Sequence, residues 1–279
     1  MITGGKEASI AFKKPLRTMT TQAAADILVR QRLALSPTTL DADQRPVREE
    51  DAYALQAAVN DLLTGTRLGV VAGHKIGCTT SVMQSFLGID SPCAGEVFSA
   101  TVLRGAGAVS RAGYRRLGVE CEIAVEIGRD IEPRPEAHTR QSVAAHVGAV
   151  MAGIEIVDDR YEDYRSLGVH TLIADNFFNA GCVLGAPVTN WQRLDLATLT
   201  GLMRINGSEA GRGTGAAVMG HPFEALAWLA NARGMRGRGL RRGEFVFLGS
   251  LVETKWLNAG DSVEIEIEGL GGAGLSVSR

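Results

Sequence analysis

Residues 118–130 read GVECEIAVEIGRD. Val119, Cys121, Ile123, Val125 and Ile127 alternate with Glu120, Glu122 and Glu126, and Ala124 interrupts the acidic row. Successive side chains of a β-strand point to opposite faces, so the segment predicts a strand with one apolar face and one face of carboxylates. Same-face neighbours lie roughly 7 Å apart, and each like-charged pair at that spacing costs about 2 kcal/mol at an effective dielectric of ~20. Water or a cation must relieve that repulsion. On this segment alone the simpler reading is water, a strand solvated on one side. A second segment shifts the balance. In GAVMAGIEIVDDR, Glu155 stands between Ile154 and Ile156, again an acid within an apolar strand. Two such strands can converge on one cation, and three carboxylates with waters make the oxygen-rich shell that Mg²⁺ or Mn²⁺ prefers. Histidine and cysteine are not spaced for zinc: the sequence has no H-x-x-x-H and no C-x-x-C.

Other candidates stand nearby. Lys75 in GHKIGC reads either as a surface lysine, since buried lysines need partners, or as a group placed where backbone approaches a ligand, because Gly73 and Gly77 flank it. Asp90, before Ser91 and Pro92, reads as a turn residue or as a site acid. Thr79 and Thr80 are predicted to cap the helix that follows, and the free N–H groups of that cap suit a substrate carboxylate. Arg160 follows Asp158 and Asp159 and is expected to pair with one of them or to bind a substrate carboxylate. His74 and His221 read as structural, with His221 near a helix start, and RGRGLRR reads as a solvated turn.

The elements that must hold these groups come in two textures. Residues 20–35 predict a helix capped by Thr20 or Thr21. VREEDAYALQAAVNDLLTG predicts a second, with Ala54, Leu55, Ala58, Val59 and Leu62 as its apolar stripe and Gly65 closing it. Beyond residue 70, short apolar segments alternate with glycine-rich turns: VVAGHKIGCTT, GEVF, ECEIAVEI, AGIEIVDD, GCVLGAPV, GLMRING, AAVMG, EFVFLGS and SVEIEIEG. That series predicts a sheet-rich roll or barrel. Helices are expected at about 79–87, 138–150 and 222–233, the last with Pro222 just inside its start and Gly234 past its end. Strands and helices do not alternate regularly, and no dinucleotide fingerprint follows a strand, which argues against a nucleotide-binding βαβ array.

Composition narrows the function. The chain has 279 residues, 45% hydrophobic and 22% charged, with net charge −2, which gives no support to a nucleic-acid or anionic-membrane partner. Its 34 glycines and 5% aromatics suit many turns and close backbone approaches. No apolar run approaches the roughly 18 residues of a membrane span, and the N-terminus has no secretory apolar core. Residues 1–18 are expected to form a disordered extension, with the folded chain starting near Met19. Four widely spaced cysteines, Cys78, Cys93, Cys121 and Cys182, read as reduced thiols, hence a cytoplasmic location.

Taken in order, GHKIGCTTSVMQSFLGIDSP, GVECEIAVEIGRDI, GIEIVDDR with the later ADN, and HPFEALAWLANARG followed by GLRRGEFVFLGS resemble the fumarylacetoacetate hydrolase superfamily. More narrowly they resemble its branch of 2-keto-4-pentenoate hydratases and 4-oxalocrotonate decarboxylases, which DAYALQ at 51–56 also fits. The resemblance covers about residues 20–278. It implies an α+β fold, a mixed β-roll or barrel over residues 70–279 with an N-terminal helical portion over 19–69. It implies a divalent metal, Mg²⁺ or Mn²⁺, on Glu120, Glu122 and Glu155, and Lys75 at the active site as an acid/base or substrate-orienting group, with Asp90 as a second catalytic candidate. Thr79, Thr80, Arg160, Phe177 and Ser250 are the expected substrate-binding positions. The implied substrate is a small 2-hydroxydienoate or its 2-keto tautomer from the catabolism of aromatic compounds, and the expected assembly is a homo-oligomer.

In that chemistry a bound metal would chelate the substrate's C1 carboxylate and C2 oxygen and stabilise a dienolate, while Lys75 shuttles a proton if burial near the metal lowers its pKa toward neutrality. Adding water at the distal carbon makes a hydratase; losing CO₂ into the same electron sink makes a decarboxylase. The sequence departs from the family at Phe177–Phe178, at Cys93–Ala94 and in LGSLVETKW, where substrate selection is expected. The bulky Phe pair favours an uncharged tail, hence hydration. Alternatives are the decarboxylase, hydrolysis of a C–C bond in an acylpyruvate, for which no histidine–acid pair is identified, and a non-catalytic partner subunit, against which the intact glutamate set argues.

Overall fold

The computed structural model describes residues 17–279. Helix α1 spans Arg17–Leu33, ahead of the expected start at Met19; the rest of the expected extension, residues 1–16, lies outside the described residues. Helix α2 (Glu49–Leu63) follows, then β1 (Val71–Gly77), α3 (Ser81–Leu87), β2 (Cys93–Phe98), β3 (Val102–Arg104), β4 (Ala106–Ser110), β5 (Leu117–Ile127) and α4 (Arg140–Ala144). The second half contains β6 (Val147–Asp158), α5 (Tyr164–Leu167), α6 (Val169–Ala174), β7 (Asn179–Leu184), β8 (Thr200–Ile205), β9 (Ser208–Thr214), α7 (Pro222–Gly234), β10 (Phe245–Ser250), β11 (Lys255–Trp256), β12 (Ser262–Ile267) and β13 (Gly271–Ser278).

The strands form two mixed sheets. The eight-stranded sheet runs β2-β1-β10-β5-β6-β7-β3, with β11 paired to β5; the five-stranded sheet runs β4-β13-β12-β8-β9. The larger sheet curls until β2 meets β7 without closing into a barrel. Its spine is the antiparallel pair β5 and β6, in register from Leu117↔Asp158 to Glu126↔Ala149, with a one-residue shift before Ile127↔Val147. On one face Cys121, Ile123, Val125 and Ile127 join the main core with Ile154, Ile156 and the inward side chains of β12, β13 and α7. The opposite face, inside the curl, carries Ala124, Met151, Phe245, Phe247, Val97 and Cys182 as a separate apolar cluster. Phe247 fits there because its neighbour is Gly153, whose Cβ would lie 2.6 Å from the ring. Burial on both faces overturns the picture of β5 as solvated on one side: Glu122 and Glu155 are completely buried.

Helices α1 and α2 share an apolar cluster with Phe98 and Ala174, through Leu28, Leu55, Val59 and Leu63. The stripe of α2 is rotated from the expected one. Ala54 and Leu62 face out, and the polar Gln56 and Asn60 face in. The burial is satisfied, because Gln56 Nε2 donates to Ala94 and Ile173 carbonyls at 2.8 and 2.7 Å, and Asn60 Nδ2 donates to Glu96 Oε2 at 3.0 Å. The helix expected over 138–150 is cut to Arg140–Ala144, since the residues from Val147 onward are taken into β6 by pairing with β5. The segment AAVMG begins within a single 3₁₀ turn at Gly215–Ala217 and continues as a turn, not a strand. Helix α7 starts as expected, with Pro222 in its first turn and His221 Nδ1 accepting the Phe223 N–H at 3.0 Å, but it takes in Gly234. Among the described residues no helix is long and apolar enough to cross a membrane.

Candidate metal and substrate site

The β5–β6 register sets Glu120 directly opposite Glu155, and Glu122 opposite Gly153. One carboxylate oxygen from each of Glu120, Glu122 and Glu155 lies within 4.8 Å of the others. Like charges directly across a strand pair are destabilising, and at that spacing each pair costs about 3 kcal/mol at an effective dielectric of ~20. Burial, reinforced by Glu155 and Glu120, pushes the Glu122 carboxyl well above the ordinary range, and burial with Glu155 raises Glu120.

Each acid is held by a dedicated donor. Glu122 Oε2 accepts the Gly249 N–H at 2.8 Å, Glu155 Oε1 accepts Asn179 Nδ2 at 3.0 Å, and Glu120 Oε1 accepts the Thr254 hydroxyl. Two buried oxygens, Glu122 Oε1 and Glu155 Oε2, have no hydrogen-bond partner. Buried carboxylate oxygens without donors, within reach of one another, fit a hard divalent cation with oxygen ligands. Lys75 projects from β1 with its Nζ 3.2 Å from Glu155 Oε1. Burial opposes its charge, but Glu155, then Glu120 and Glu122, outweigh that and raise its pKa. In the protein alone, therefore, the three acids favour the charged form of Lys75.

A cavity of about 510 Å³ opens beside Lys75 and Glu120. Thr79, Thr80, Phe177 and Ser250 line it, while Glu122 and Glu155 lie buried beside it. Thr80 caps α3, its hydroxyl accepting the Met83 N–H at 3.3 Å. Thr79 is wedged against Gly249, where a Cβ would fall 2.4 Å from its Oγ1. The Phe177 ring sits 5.2 Å from Lys75 Nζ, in the range of a cation–π contact.

Two expected residues are elsewhere. Asp90 lines a different cavity of about 430 Å³ with Glu49 and His170. Arg160 is buried away from the cavity, donating to Asp175 Oδ2 at 3.1 Å and to the Asn179 carbonyl at 3.2 Å. Its expected partners serve Arg116 instead, which donates its N–H to Asp158 and its guanidinium to Asp159. Arg160 thus braces the turn that carries Asn179. His74 is structural, as expected, buried with Nε2 3.2 Å from Glu244.

Sequence reading passed over Asn179, Thr254 and Gly249, the groups that orient the acids. Asn179 carried a faint signal, as a polar residue heading the buried run AGCVL in register two positions from Glu155. Thr254 and Gly249 carried none, since each is brought to β5 only by the pairing of β10 and β11 with it.

Residues 94–277 match the family model described as fumarylacetoacetate (FAA) hydrolase C-terminal. The chain belongs to the fumarylacetoacetate hydrolase family. Among its relatives in that family is a 2-hydroxyhexa-2,4-dienoate hydratase of Comamonas testosteroni, 35% identical over 246 residues, covering 87% of this chain and 90% of that one. A 2-keto-4-pentenoate hydratase of Paraburkholderia xenovorans strain LB400 is 33% identical over 225 residues, covering 80% and 81%. A solved 4-oxalocrotonate decarboxylase from Pseudomonas putida G7, complexed with magnesium and adipate, superposes with a TM-score of 0.87 at 25% identity, covering 95% of this chain and 100% of that one. The family, its fold and its branch therefore agree with the resemblance carried by the motifs.

Proposed function

We propose that this chain is a divalent-metal-dependent hydro-lyase that adds water to a 2-hydroxy-2,4-dienoate through its 2-keto-4-enoate tautomer. The observation that carries the reading is the convergence of Glu120, Glu122 and Glu155, with orphaned oxygens on Glu122 and Glu155, beside a cavity that Lys75 faces. The hydratase names of the relatives and the magnesium in the decarboxylase complex support it. Glu120, Glu122 and Glu155 would hold the ion, Mg²⁺ or Mn²⁺, which supplies Lewis-acid polarisation of the substrate's carboxylate and C2 oxygen.

The chain's own groups do the remainder. Lys75 is aimed by its contacts: its Nζ is fixed between Glu155 and the Phe177 ring. From there the ammonium form would donate a proton to the substrate's carbon skeleton during tautomerisation, and the amine so formed would take one back. Asn179, Thr254 and the Gly249 N–H fix the acids so that no reorganisation is needed when charge develops. Phe177, Phe178 and Val157 wall the cavity and limit bulk water.

Hydration is favoured over decarboxylation of a diacid by the charges on the wall. Apart from Lys75, the charged residues lining the cavity are Glu120, Asp159 and Glu253, all acidic. A second carboxylate on the substrate would face those acids, and the nearby Arg116 is already engaged by Asp159 and stacked on Trp256. The structural likeness to the decarboxylase sustains that second reading. The test is purified protein with Mg²⁺ or Mn²⁺ and 2-hydroxypenta-2,4-dienoate. Loss of dienol absorbance without CO₂, abolished by chelator, supports the hydratase. Faster CO₂ release from 2-oxohex-3-enedioate assigns the decarboxylase instead.

A further inference from the structure

The cavity continues well past the acids, and its far part has a character of its own. Its outer wall is α3, a helix of seven residues with none fully buried. Val82 is 75% exposed, Phe86 51% and Met83 43%, although all are apolar. Val82, Met83 and Leu87 of α3 line the cavity, facing Phe178, Val252 and Trp256. Phe86 is covered on one side by Arg165, whose guanidinium carbon lies 5.3 Å from the ring centroid and 5.2 Å from that of Tyr164, tying α3 to α5. Tyr164 in turn meets Phe178 edge-on, ring centroids 5.5 Å apart. The result is a largely apolar wall continuous with the metal-binding end, whose charged lining residues, Asp159 and Glu253, are acidic, while the nearest cations, Arg116 and Arg165, are engaged by Asp159 and Trp256 and by Phe86 and Tyr164.

Size points the same way. A cavity of about 510 Å³ falls in the ~300–1,000 Å³ range of sites that enclose drug-sized ligands, more than a pentadienoate skeleton fills. Apolar surface left facing water across such a chamber is stabilised when an apolar group covers it.

We propose that the substrate is a monoanionic dienoate whose distal carbon bears an extended uncharged group, alkyl or aryl, seated against α3, and that Val82, Met83 and Leu87 set the selectivity for its length. This rests on the hydro-lyase reading and deepens it. The carboxylate and C2 oxygen lie at the Lys75 and Glu120 end; the tail runs along α3 toward Trp256.

The experiment uses the full chain with saturating Mg²⁺. Straight-chain 2-oxo acids of increasing length, which keep the anchoring end but lack the diene, are measured as competitive inhibitors and by calorimetry. Affinity is expected to rise about fourfold for each added methylene until the chamber is full. Turnover of 2-hydroxydienoates with a butyl or phenyl tail is expected to exceed that of 2-hydroxypenta-2,4-dienoate at least tenfold in kcat/KM. Val82→Asp and Met83→Asp, both at exposed positions that tolerate a charge for folding, should cut the ratio of long-tail to short-tail kcat/KM tenfold or more. A flat inhibitor series, or preference for the short dienoate, overturns the proposal while leaving the hydro-lyase reading in place. Failure of every 2-oxo acid to bind in the presence of Mg²⁺, with no dienoate consumed, overturns both.

Discussion

Replacing Glu122 by Gln tests the charge logic of the site through stability rather than rate. Glu122 is completely buried, and its Oε1 has no donor. It meets Glu120 and Glu155 within 4.8 Å, two like-charge contacts of about 3 kcal/mol each at an effective dielectric of ~20. Part of that repulsion is already relieved, because burial and the neighbouring acids raise the Glu122 pKa and so hold back its ionisation. Loss of the attraction to Lys75 subtracts further. Gln keeps the shape, and its carbonyl can accept the Gly249 N–H that Glu122 Oε2 now accepts. The net expectation in chelator is a variant more stable than the parent by about 1–3 kcal/mol, with Tm higher by about 2–4 °C for each kcal/mol. In Mg²⁺ the order reverses. At a hundredfold excess over Kd the parent gains about 2.7 kcal/mol, and the variant, short of a charged ligand, gains little. Thermal unfolding in EDTA and in MgCl₂, with calorimetry of Mg²⁺ binding, reads both halves. A variant destabilised in EDTA by the ~3–5 kcal/mol typical of a broken buried pair, or one that keeps the full Mg²⁺ shift, would refute the argument that these acids are mutually repelling metal ligands.

Three further outcomes are expected. Gly77→Ala places a Cβ 2.9 Å from Phe177 Cδ1 and 3.4 Å from Lys75 Nζ, so kcat/KM should fall about 10–100-fold from misplacement of Lys75, read by steady-state kinetics alongside a Tm loss of only a few degrees. Asn179→Ala removes the donor to Glu155 Oε1 and should weaken Mg²⁺ binding about 10–100-fold by calorimetry, with circular dichroism unchanged. Glu244 lies where burial opposes its charge, but His74 Nε2 at 3.2 Å and the Arg241 N–H at 2.7 Å outweigh that and hold its carboxyl below the ordinary range. A depressed carboxyl contributes stability above the unfolded value of about 4.3 that is lost as pH falls through the folded one; Glu244→Gln should therefore flatten the acid limb of urea midpoints against pH.

What the sequence carried openly was whatever depends on alternation. Period-two patterning placed Glu120 and Glu122 on one face of β5 and isolated Glu155 in β6, because a strand's faces follow from residue order alone. The burial of that face did not follow, since the curl that covers it is made by β1, β10 and β7, remote in sequence. Helix α2 shows the same limit: its helicity was legible, but its rotation was set by Gln56 and Asn60 finding partners in the Ala94 carbonyl and Glu96 carboxylate of β2 and the Ile173 carbonyl of α6. Arg160 is the clearest case. Its neighbours Asp158 and Asp159 were the local expectation, yet the pairing it makes is with Asp175, across a turn whose shape no local pattern announces. Strands β3, β4, β9 and β13 escaped reading because they are short, polar on one side or glycine-rich, and owe their form to pairing.

That turn explains why the family-like ADN run ends here in aromatics. Asn176, Phe177 and Phe178 all have left-handed backbones, with φ of 58°, 46° and 66°, a conformation that costs roughly 1–2 kcal/mol for each non-glycine residue. The turn is held from both ends. Asp175 accepts from Arg160, Tyr161 and Thr38. Asn176 accepts the Glu96 N–H at 2.9 Å and exchanges hydrogen bonds with Asn60. Glycine would relieve the backbone at 177 and 178 but would remove the ring beneath Lys75 and the wall that meets Tyr164. Strain at these positions is thus the cost of pointing two aromatic rings into one cavity from consecutive residues, and the buried anchors on Asp175 and Asn176 are what make it tolerable. The polar network that fixes this turn also carries Asn179 to Glu155, so the orientation of the acids and the shape of the substrate chamber are set by the same few hydrogen bonds.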